Sequence, residues 1–379
     1  MKKTLLNILV TGSNGFIGKN LVKHLDKLDA INLMTFNRSE NISILQKLLS
    51  EADVVVHLAG ENRPANNNDF KKVNFKLTKK ICEFISNEFM QTNKKIKFIL
   101  ASSTQATEDN PYGQSKLLAE NEVCALSDQF QIPSTIFRFP GIFGKWCKPN
   151  YNSVVATFCF NISRNLPIKI RDPDFKLNLV YIDDVIESII KSIFYNNKGI
   201  TWGKVAPLYQ LTLLELSEHI KNFKNSRNNL ITENVGNGLI RALYSTYLSY
   251  LPKECFCYKI NEKIDNRGIF VEMLKTKNSG QISYFTAYPG ITRGEHYHHT
   301  KTEKFLVIKG EALFRFCNII NGEKFEIKIN GKVPEIVDTI PGWSHSITNI
   351  GNEEMLVLLW ANENFDEKKP DTIGYKIQK

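Results

Sequence analysis

Two groups of residues in this 379-residue chain carry side chains able to do chemistry at neutral pH. The first is His296-Tyr-His298-His299-Thr-Lys-Thr-Glu303, with His345 further along. Histidines one residue apart on a strand point to one face, and a glutamate on the same or the next strand can join them. That provides three of the four ligands of a divalent cation, and an antiparallel barrel that returned the His345 strand would complete the set. The second group is Tyr112-Gly-Gln-Ser-Lys116, whose tyrosine and lysine share a helix face. A phenol of ordinary pKa about 10 is a poor acid or base, and a neighbouring ammonium favours its ionised form. At ~4 Å and an effective dielectric of ~20 the pair interacts by about 4 kcal/mol before desolvation. The two groups need different scaffolds, a helix for one and strands for the other.

The helix comes with a nucleotide-binding entry. Ile8-Leu-Val-Thr-Gly12-Ser-Asn14-Gly15-Phe16-Ile17-Gly18 reads as an apolar strand, a glycine turn and a helix start that continues into Lys19–Leu25. The glycines let the backbone approach a pyrophosphate, whose charge is favoured at a helix N-terminus. A second strand over 31–36 ends at Asn37-Arg38, where arginine suits a ribose phosphate and a carboxylate would suit an unmodified ribose. NADPH is therefore expected over NADH.

The glycine turn, the serine-ended strand Lys97–Thr104 and the Tyr112/Lys116 pair together resemble the extended short-chain dehydrogenases/reductases over roughly the first 240 residues. The resemblance implies that Tyr112 exchanges a proton with a sugar oxygen, that Lys116 binds the cofactor ribose, and that Ser103 holds the same oxygen, with Ser102 and Thr104 as neighbours. It implies cofactor contacts at Gly12, Asn14, Gly15, Phe16, Ile17, Gly18, Arg38, Leu58, Ala59, Tyr112 and Lys116, a structural His57 and a supporting Asn74. Arg138, Lys145 and Asn152 fall on its substrate side, where the loop after Gly144 offers cations, amides and aromatics for a nucleotide diphosphate; a plain surface loop reads equally well. Asp183 and Asp184 read as helix caps.

The histidine-rich stretch resembles the cupins: Gly290, His296, His298, Glu303 and Gly310 match the first cupin motif position for position. The second motif keeps His345 and Asn349, with Pro341 directly against Gly342 where one residue usually intervenes. Asp265-Asn-Arg267-Gly268-Ile-Phe270-Val-Glu272 and Arg293-Gly-Glu-His296-Tyr also resemble the deoxysugar 3,5-epimerases, whose histidine at the His296 position is a base. Those epimerases lack the second histidine, so His296, His298, Glu303 and His345 are assigned here as metal ligands. Such a set takes zinc, nickel, iron or manganese, with zinc the expected ion. The proton carrier stays open among Tyr297, His299 and Lys301.

The expected fold is thus a Rossmann-type α/β doubly wound parallel sheet over residues 1–250 followed by an all-β cupin jelly-roll barrel over 251–379. Net charge is +10, but the lysines are scattered through Asn/Lys-rich stretches, which argues against nucleic acid and accords with an anionic substrate. Seven cysteines at irregular spacings fit a reducing cytoplasm, and no apolar run approaches a membrane span. Over essentially the whole chain the pattern resembles the bifunctional epimerase/reductases of capsular and O-antigen polysaccharide synthesis. The resemblance implies C3 epimerisation of a UDP-2-acetamido-2,6-dideoxy-4-hexulose in the barrel, then NADPH-dependent C4 reduction to a 6-deoxy-talose sugar, on the route to UDP-N-acetyl-L-fucosamine. A homodimer is expected. The alternatives are a single-activity reductase whose barrel binds sugar or dimerises, and a non-enzymatic NADP sensor or scaffold, against which the intact Ser103, Tyr112 and Lys116 argue.

Overall fold

The computed structural model describes residues 5–64, 66, 68–196 and 198–377. The chain divides into two compact units, Met1–Ile220 with Ala242–Leu251, and Lys221–Arg241 with Pro252–Lys379.

In the first unit short apolar runs form β1 (Leu6–Thr11), β2 (Ile31–Phe36), β3 (Val54–His57), β4 (Lys97–Ser103) and β5 (Ser134–Phe139). Every residue of β3 and β4 is buried, as a parallel sheet covered on both faces requires. The order is β2-β1-β3-β4-β5 with Ile200–Gly203 at the edge, all pairs parallel. Leu9, Val55, Phe98 and Leu100 pack with Leu45 and Leu49, Ile81 and Ile85, and Ala119 and Val123 from three covering helices. Each fully buried leucine or isoleucine contributes about 1.5–3 kcal/mol, so the sheet ends are held rigidly. Because β1 lies between β2 and β3, the chain reverses its direction of travel across the sheet there. The carboxyl end of β1 is the switch point at which ligands of such sheets bind.

The second unit is built from two sheets. One has the order Ile231–Thr232, Gly268–Thr276, Gln281–Ala287, Met355–Ala361, Glu303–Lys309, Ile336–Asp338, with Glu262–Asp265 added beside Gly268–Thr276. The other has the order Lys324–Asn330, Glu311–Asn318, Trp343–Asn349, Thr292–Tyr297, Ile373–Gly374. Phe285, Phe305, Val307 and Val357 from the first sheet and Ala312, Phe314, Phe316 and Ile347 from the second form one core. This is the double-sheet jelly-roll solution to burying alternating strands. Glu311–Asn318 and Lys324–Asn330 form an antiparallel hairpin, with Ala312 opposite Ile329 and Phe316 opposite Phe325.

The helix Leu213–Asn229 ends where Leu230 turns left-handed at φ 64°. Two expectations need correction in detail. Residues 221–241 group with the second unit, where Ile231–Thr232 pairs with Gly268–Thr276 and Glu233 meets Lys277 at 2.8 Å, so a single crossing near 250 misplaces them. Asp183 and Asp184 lie in the first turn of the helix Ile182–Phe194, whose N-cap is Tyr181 without a side-chain cap bond. There they favour the positive end of the helix dipole. Among the described residues no helix is long and apolar enough to cross a membrane.

Candidate functional site

The glycine turn leaves β1 at the switch point. Gly12 has φ +72°, and a Cβ there would meet Ala59 N at 2.7 Å; one on Gly18 would meet Gly12 O at 2.3 Å. Only glycines allow this tight a cradle. Gly15 is the N-cap of α1 (Phe16–Leu25) and gives it no side-chain cap, so the first-turn N–H groups remain available to a phosphate. The cradle fits a dinucleotide pyrophosphate. Leu58 and Ala59 hang from β1 through Leu58 N to Thr11 O at 3.2 Å and Ala59 N to Thr11 Oγ1 at 3.4 Å.

The helix Pro111–Phe130 begins at Asn110, whose side chain accepts from Gly113 N at 2.8 Å, and proline occupies its first turn. This fixes Tyr112 and Lys116 one turn apart beside the carboxyl end of β4. Burial pushes the Tyr112 phenol up, opposed by a hydrogen bond with Ser103. Lys116 is buried, its Nζ donating to Ala101 O at 3.0 Å, and burial lowers its pKa to about 8 against the pull of Glu120. Gly60 makes room here: a Cβ on it would meet both Asn74 Oδ1 and Lys116 Nζ at 3.2 Å. Asn74 lies in a π-helical stretch, Lys71–Lys76, an irregularity found mostly at functional sites. Its amide accepts from Glu61 N at 2.8 Å and donates to Glu61 O at 3.1 Å and Ser115 Oγ at 3.0 Å. His57 is a spacer, bonded to Thr11 Oγ1 at 2.6 Å and Thr78 Oγ1 at 3.0 Å, and burial lowers it to about 3.

The remaining sequence candidates scatter. Arg38 is exposed and pairs with Glu61 at 3.3 Å, and Glu61 also accepts from Tyr151 Oη at 2.9 Å. Asn37 accepts from Ser13 Oγ at 3.0 Å and Asn14 N at 3.1 Å, while its own N–H donates to the Glu40 carboxylate at 2.5 Å. Arg138, placed on the substrate side from the sequence, is engaged by buried Glu120, at 3.0 Å through Nε and 2.6 Å through Nη2. Glu120 also holds Ser102 Oγ at 2.5 Å, which removes Ser102 from competition with Ser103. Lys145 pairs with Asp183 at 2.5 Å, and Asn152 is exposed.

In the second unit the four expected ligands converge: one ligand atom from each of His296, His298, Glu303 and His345 lies within 4.8 Å of the others. A bulge aims the first of them. Gly294 and Glu295 both have positive φ, 92° and 61°, and the shifted register sets His296 directly opposite His345. His298 Nδ1 donates to the Asp371 carbonyl, an oxygen that can only accept, so Nδ1 carries the proton. His298 Nε2 lies 3.3 Å from Glu303 Oε2. His345 Nε2 lies 3.4 Å from the same oxygen, and neither of its buried ring nitrogens makes a hydrogen bond. A divalent cation held between these groups would give each of them a partner. Ligand atoms about 2.0–2.1 Å from zinc stand roughly 3.3 Å apart around a tetrahedron, so the cluster fits a divalent ion. Lys301, itself buried, occupies the other Glu303 oxygen at 2.8 Å, so Oε2 alone faces the histidines. Burial alone would raise Glu303, but His298 and Lys301 hold its carboxyl well below the usual range. Burial and His345 lower His296 to about 4, which keeps it neutral as a ligand must be. Phe305 and Phe316 wall the His345 side, with ring centroids 6.1 and 6.5 Å away. Of the open proton carriers, Lys301 reaches Glu303, while Tyr297 and His299 meet edge to face with ring centroids 5.5 Å apart.

Three residues that matter were missed from the sequence. Glu120 lies one turn beyond Lys116, a spacing that could have revealed it. Glu61 follows the turn after β3 and carries no pattern of its own. Asp371 is far from the histidines in sequence and no local signal links them.

Residues 8–200 match the NAD dependent epimerase/dehydratase family, and residues 263–373 match the polysaccharide biosynthesis C-terminal domain. The chain is 49% identical over 372 residues, 98% of its length and 99% of the relative's, to a UDP-2-acetamido-2,6-beta-L-arabino-hexul-4-ose reductase of Pseudomonas aeruginosa. The structure is similar to the capsular polysaccharide assembling protein CapF of Staphylococcus aureus, with TM-score 0.89 and 38% identity over 98% of this chain and 100% of that one. A CapF structure with the inhibitor 3-isopropenyl-tropolone matches at TM-score 0.84 and 34% identity, with the same coverage of both chains.

Proposed function

The chain belongs to the NAD dependent epimerase/dehydratase family, among members with a polysaccharide biosynthesis C-terminal domain, and from this we propose a two-step nucleotide-sugar enzyme. The second unit epimerises a UDP-2-acetamido-2,6-dideoxy-L-arabino-4-hexulose at C3. The first unit then reduces the C4 ketone with NADPH to a UDP-N-acetyl-6-deoxy-talosamine, towards UDP-N-acetyl-L-fucosamine. What carries the reading is the presence in one chain of the Ser103, Tyr112 and Lys116 set and a buried three-histidine, one-glutamate cluster.

For C3, a proton beside a ketone becomes labile only when the developing enolate oxygen is stabilised. A divalent ion, zinc by our reading, supplies Lewis acidity when bound to His296, His298, Glu303 and His345. Lys301 fixes which carboxylate oxygen of Glu303 is left for binding, and Phe305 and Phe316 exclude water on one side. For C4, the nicotinamide supplies hydride when bound. Tyr112, kept protonated by burial, gives its proton to the sugar O4, Ser103 orients the phenol, and Lys116 offers its charge to the tyrosinate that forms. Arg38 meets the adenosine ribose phosphate in this reading, after leaving Glu61. All seven cysteines are free, in keeping with a reducing cytoplasm, and we infer a homodimer from the habit of such barrels.

The test is mass spectrometry of the UDP-4-keto sugar incubated with the protein in heavy water without NADPH. Deuterium uptake at C3, lost in His298→Ala, supports the two-step reading. No uptake with ketone-dependent NADPH oxidation intact leaves a single-activity reductase.

A further inference from the structure

His298 needs help to be a ligand. The strand Thr292–Tyr297 ends just before it, and the segment 298–302 that follows joins no strand ladder; its ends are tied by Gly342 N to His298 O at 2.9 Å and Asn362 N to Thr302 O at 3.1 Å, and its middle needs a further partner. The chain supplies one from its C-terminal end. The Asp371 carboxylate accepts from three successive backbone N–H groups, His299 at 2.9 Å, Thr300 at 2.7 Å and Lys301 at 2.8 Å, and from Thr300 Oγ1 at 3.1 Å. Its own carbonyl accepts from His298 Nδ1. Two residues on, Ile373–Gly374 pairs with Tyr297 and His296, Tyr375 N donates to Glu295 O at 2.8 Å, and Ser344 Oγ donates to Tyr375 O at 2.7 Å. One short segment therefore holds the backbone on both sides of His296, the ring of His298 and the residue before His345.

We propose that residues 371–375 are a positioning strap for the metal site, with Asp371 as its anchor. The proposal rests on the reading that the cluster binds a divalent ion. Asp371 acts through both of its oxygen-bearing groups. The carboxylate gathers the turn, and this gathering brings the main-chain carbonyl against the imidazole. The carbonyl forces the proton onto Nδ1 and so presents Nε2 as the ligand atom, oriented before any ion arrives. Groups that orient a ligating histidine in this way typically govern metal affinity by 10–100-fold. Without the strap, His298 is free to rotate and to change tautomer, and the strand carrying His296 loses its outer neighbour.

The experiment measures zinc affinity of the full chain by competition with a chromophoric chelator. The variants are Asp371→Ala, Asp371→Asn, a chain stopped after Pro370, and His298→Ala as the control for the site itself. The expected result is about a 10-fold or greater loss in Asp371→Ala, a larger loss in the shortened chain, and partial recovery in Asp371→Asn, which keeps one acceptor oxygen. Zinc-loaded wild type should also show a downfield, exchange-protected His298 Nδ1 proton by NMR, absent in Asp371→Ala. That signal would not move if Asp371 merely stabilised the fold. Wild-type affinity in Asp371→Ala and the shortened chain, with binding lost in His298→Ala, overturns the strap and leaves the metal site standing. No zinc binding by wild type overturns the metal reading and the strap with it. If the shortened chain fails to fold, the graded series Asp, Asn, Ala at 371 decides.

Discussion

Replacing Lys116 with methionine separates the cost of burying its charge from the use made of it. Lys116 is 7% exposed, and burial takes its pKa from an ordinary 10.5 to about 8. At about 1.4 kcal/mol per pH unit this costs the cofactor-free folded state about 3 kcal/mol below pH 8, where folded and unfolded chains both carry the proton. Between about 8 and 10.5 the unfolded chain holds a proton the folded one has lost, so wild-type stability rises with pH through that window. Methionine fills a similar volume without charge, but strips the donor from Ala101 O and returns about 1–3 kcal/mol. Lys116→Met should therefore equal or exceed wild type by up to about 2 kcal/mol below pH 8, and lose about 3 kcal/mol of that relative standing by pH 10.5. Urea unfolding of both proteins at steps from pH 6 to 10 measures the difference. Ketone-dependent NADPH oxidation in the same variant should fall by about 10²–10⁴. A stability difference that stays flat with pH would refute the account of Lys116 as a buried charge, and undiminished activity would refute its role.

Gly18→Ala should abolish NADPH binding, read by fluorescence titration, because the new Cβ would lie 2.3 Å from Gly12 O in backbone that cannot yield without opening the turn. Glu120→Gln should lower stability by about 2–3 kcal/mol in thermal unfolding, the low end for a broken buried ion pair because the Arg138 side chain is 32% exposed. Glu61→Gln frees Arg38 from an exposed pair worth about 0–1 kcal/mol, so NADPH should bind up to about 5-fold tighter in the same titration. Chelating the metal should stop deuterium uptake at C3 yet spare reduction of the supplied C3 epimer, measured by product mass.

Much of the site could be read along the chain because its chemistry is local. Gly12, Gly15 and Gly18 must follow a strand at fixed spacing, and Tyr112 and Lys116 must stand one helical turn apart, since each pair or triplet acts through backbone geometry a few residues long. His296, His298 and Glu303 are legible for the same reason. Arg138 shows where such reasoning stops: its type fits an anionic sugar nucleotide, yet the helix that crosses β4 and β5 brings Glu120 to it, and a buried carboxylate claims a guanidinium fork. Residues 221–241 look like the tail of the first domain, yet the two-residue strand at Ile231 finds its partner in Gly268–Thr276.

The sequence by itself determined the classes of scaffold, the glycine turn after the first strand, the tyrosine and lysine one helical turn apart, and which three histidines and one glutamate could gather into a cluster. Periodicity and spacing encode these because neighbours along the chain are neighbours in a helix turn or a strand. Only the tertiary structure decided which side chains were already taken, which nitrogen of His298 faces Glu303, and that Asp371, distant in sequence, meets the other. Those outcomes depend on who meets whom across sheets, and burial makes each meeting exclusive: a polar group taken out of water must find one partner, and once found, that partner is no longer available to a ligand.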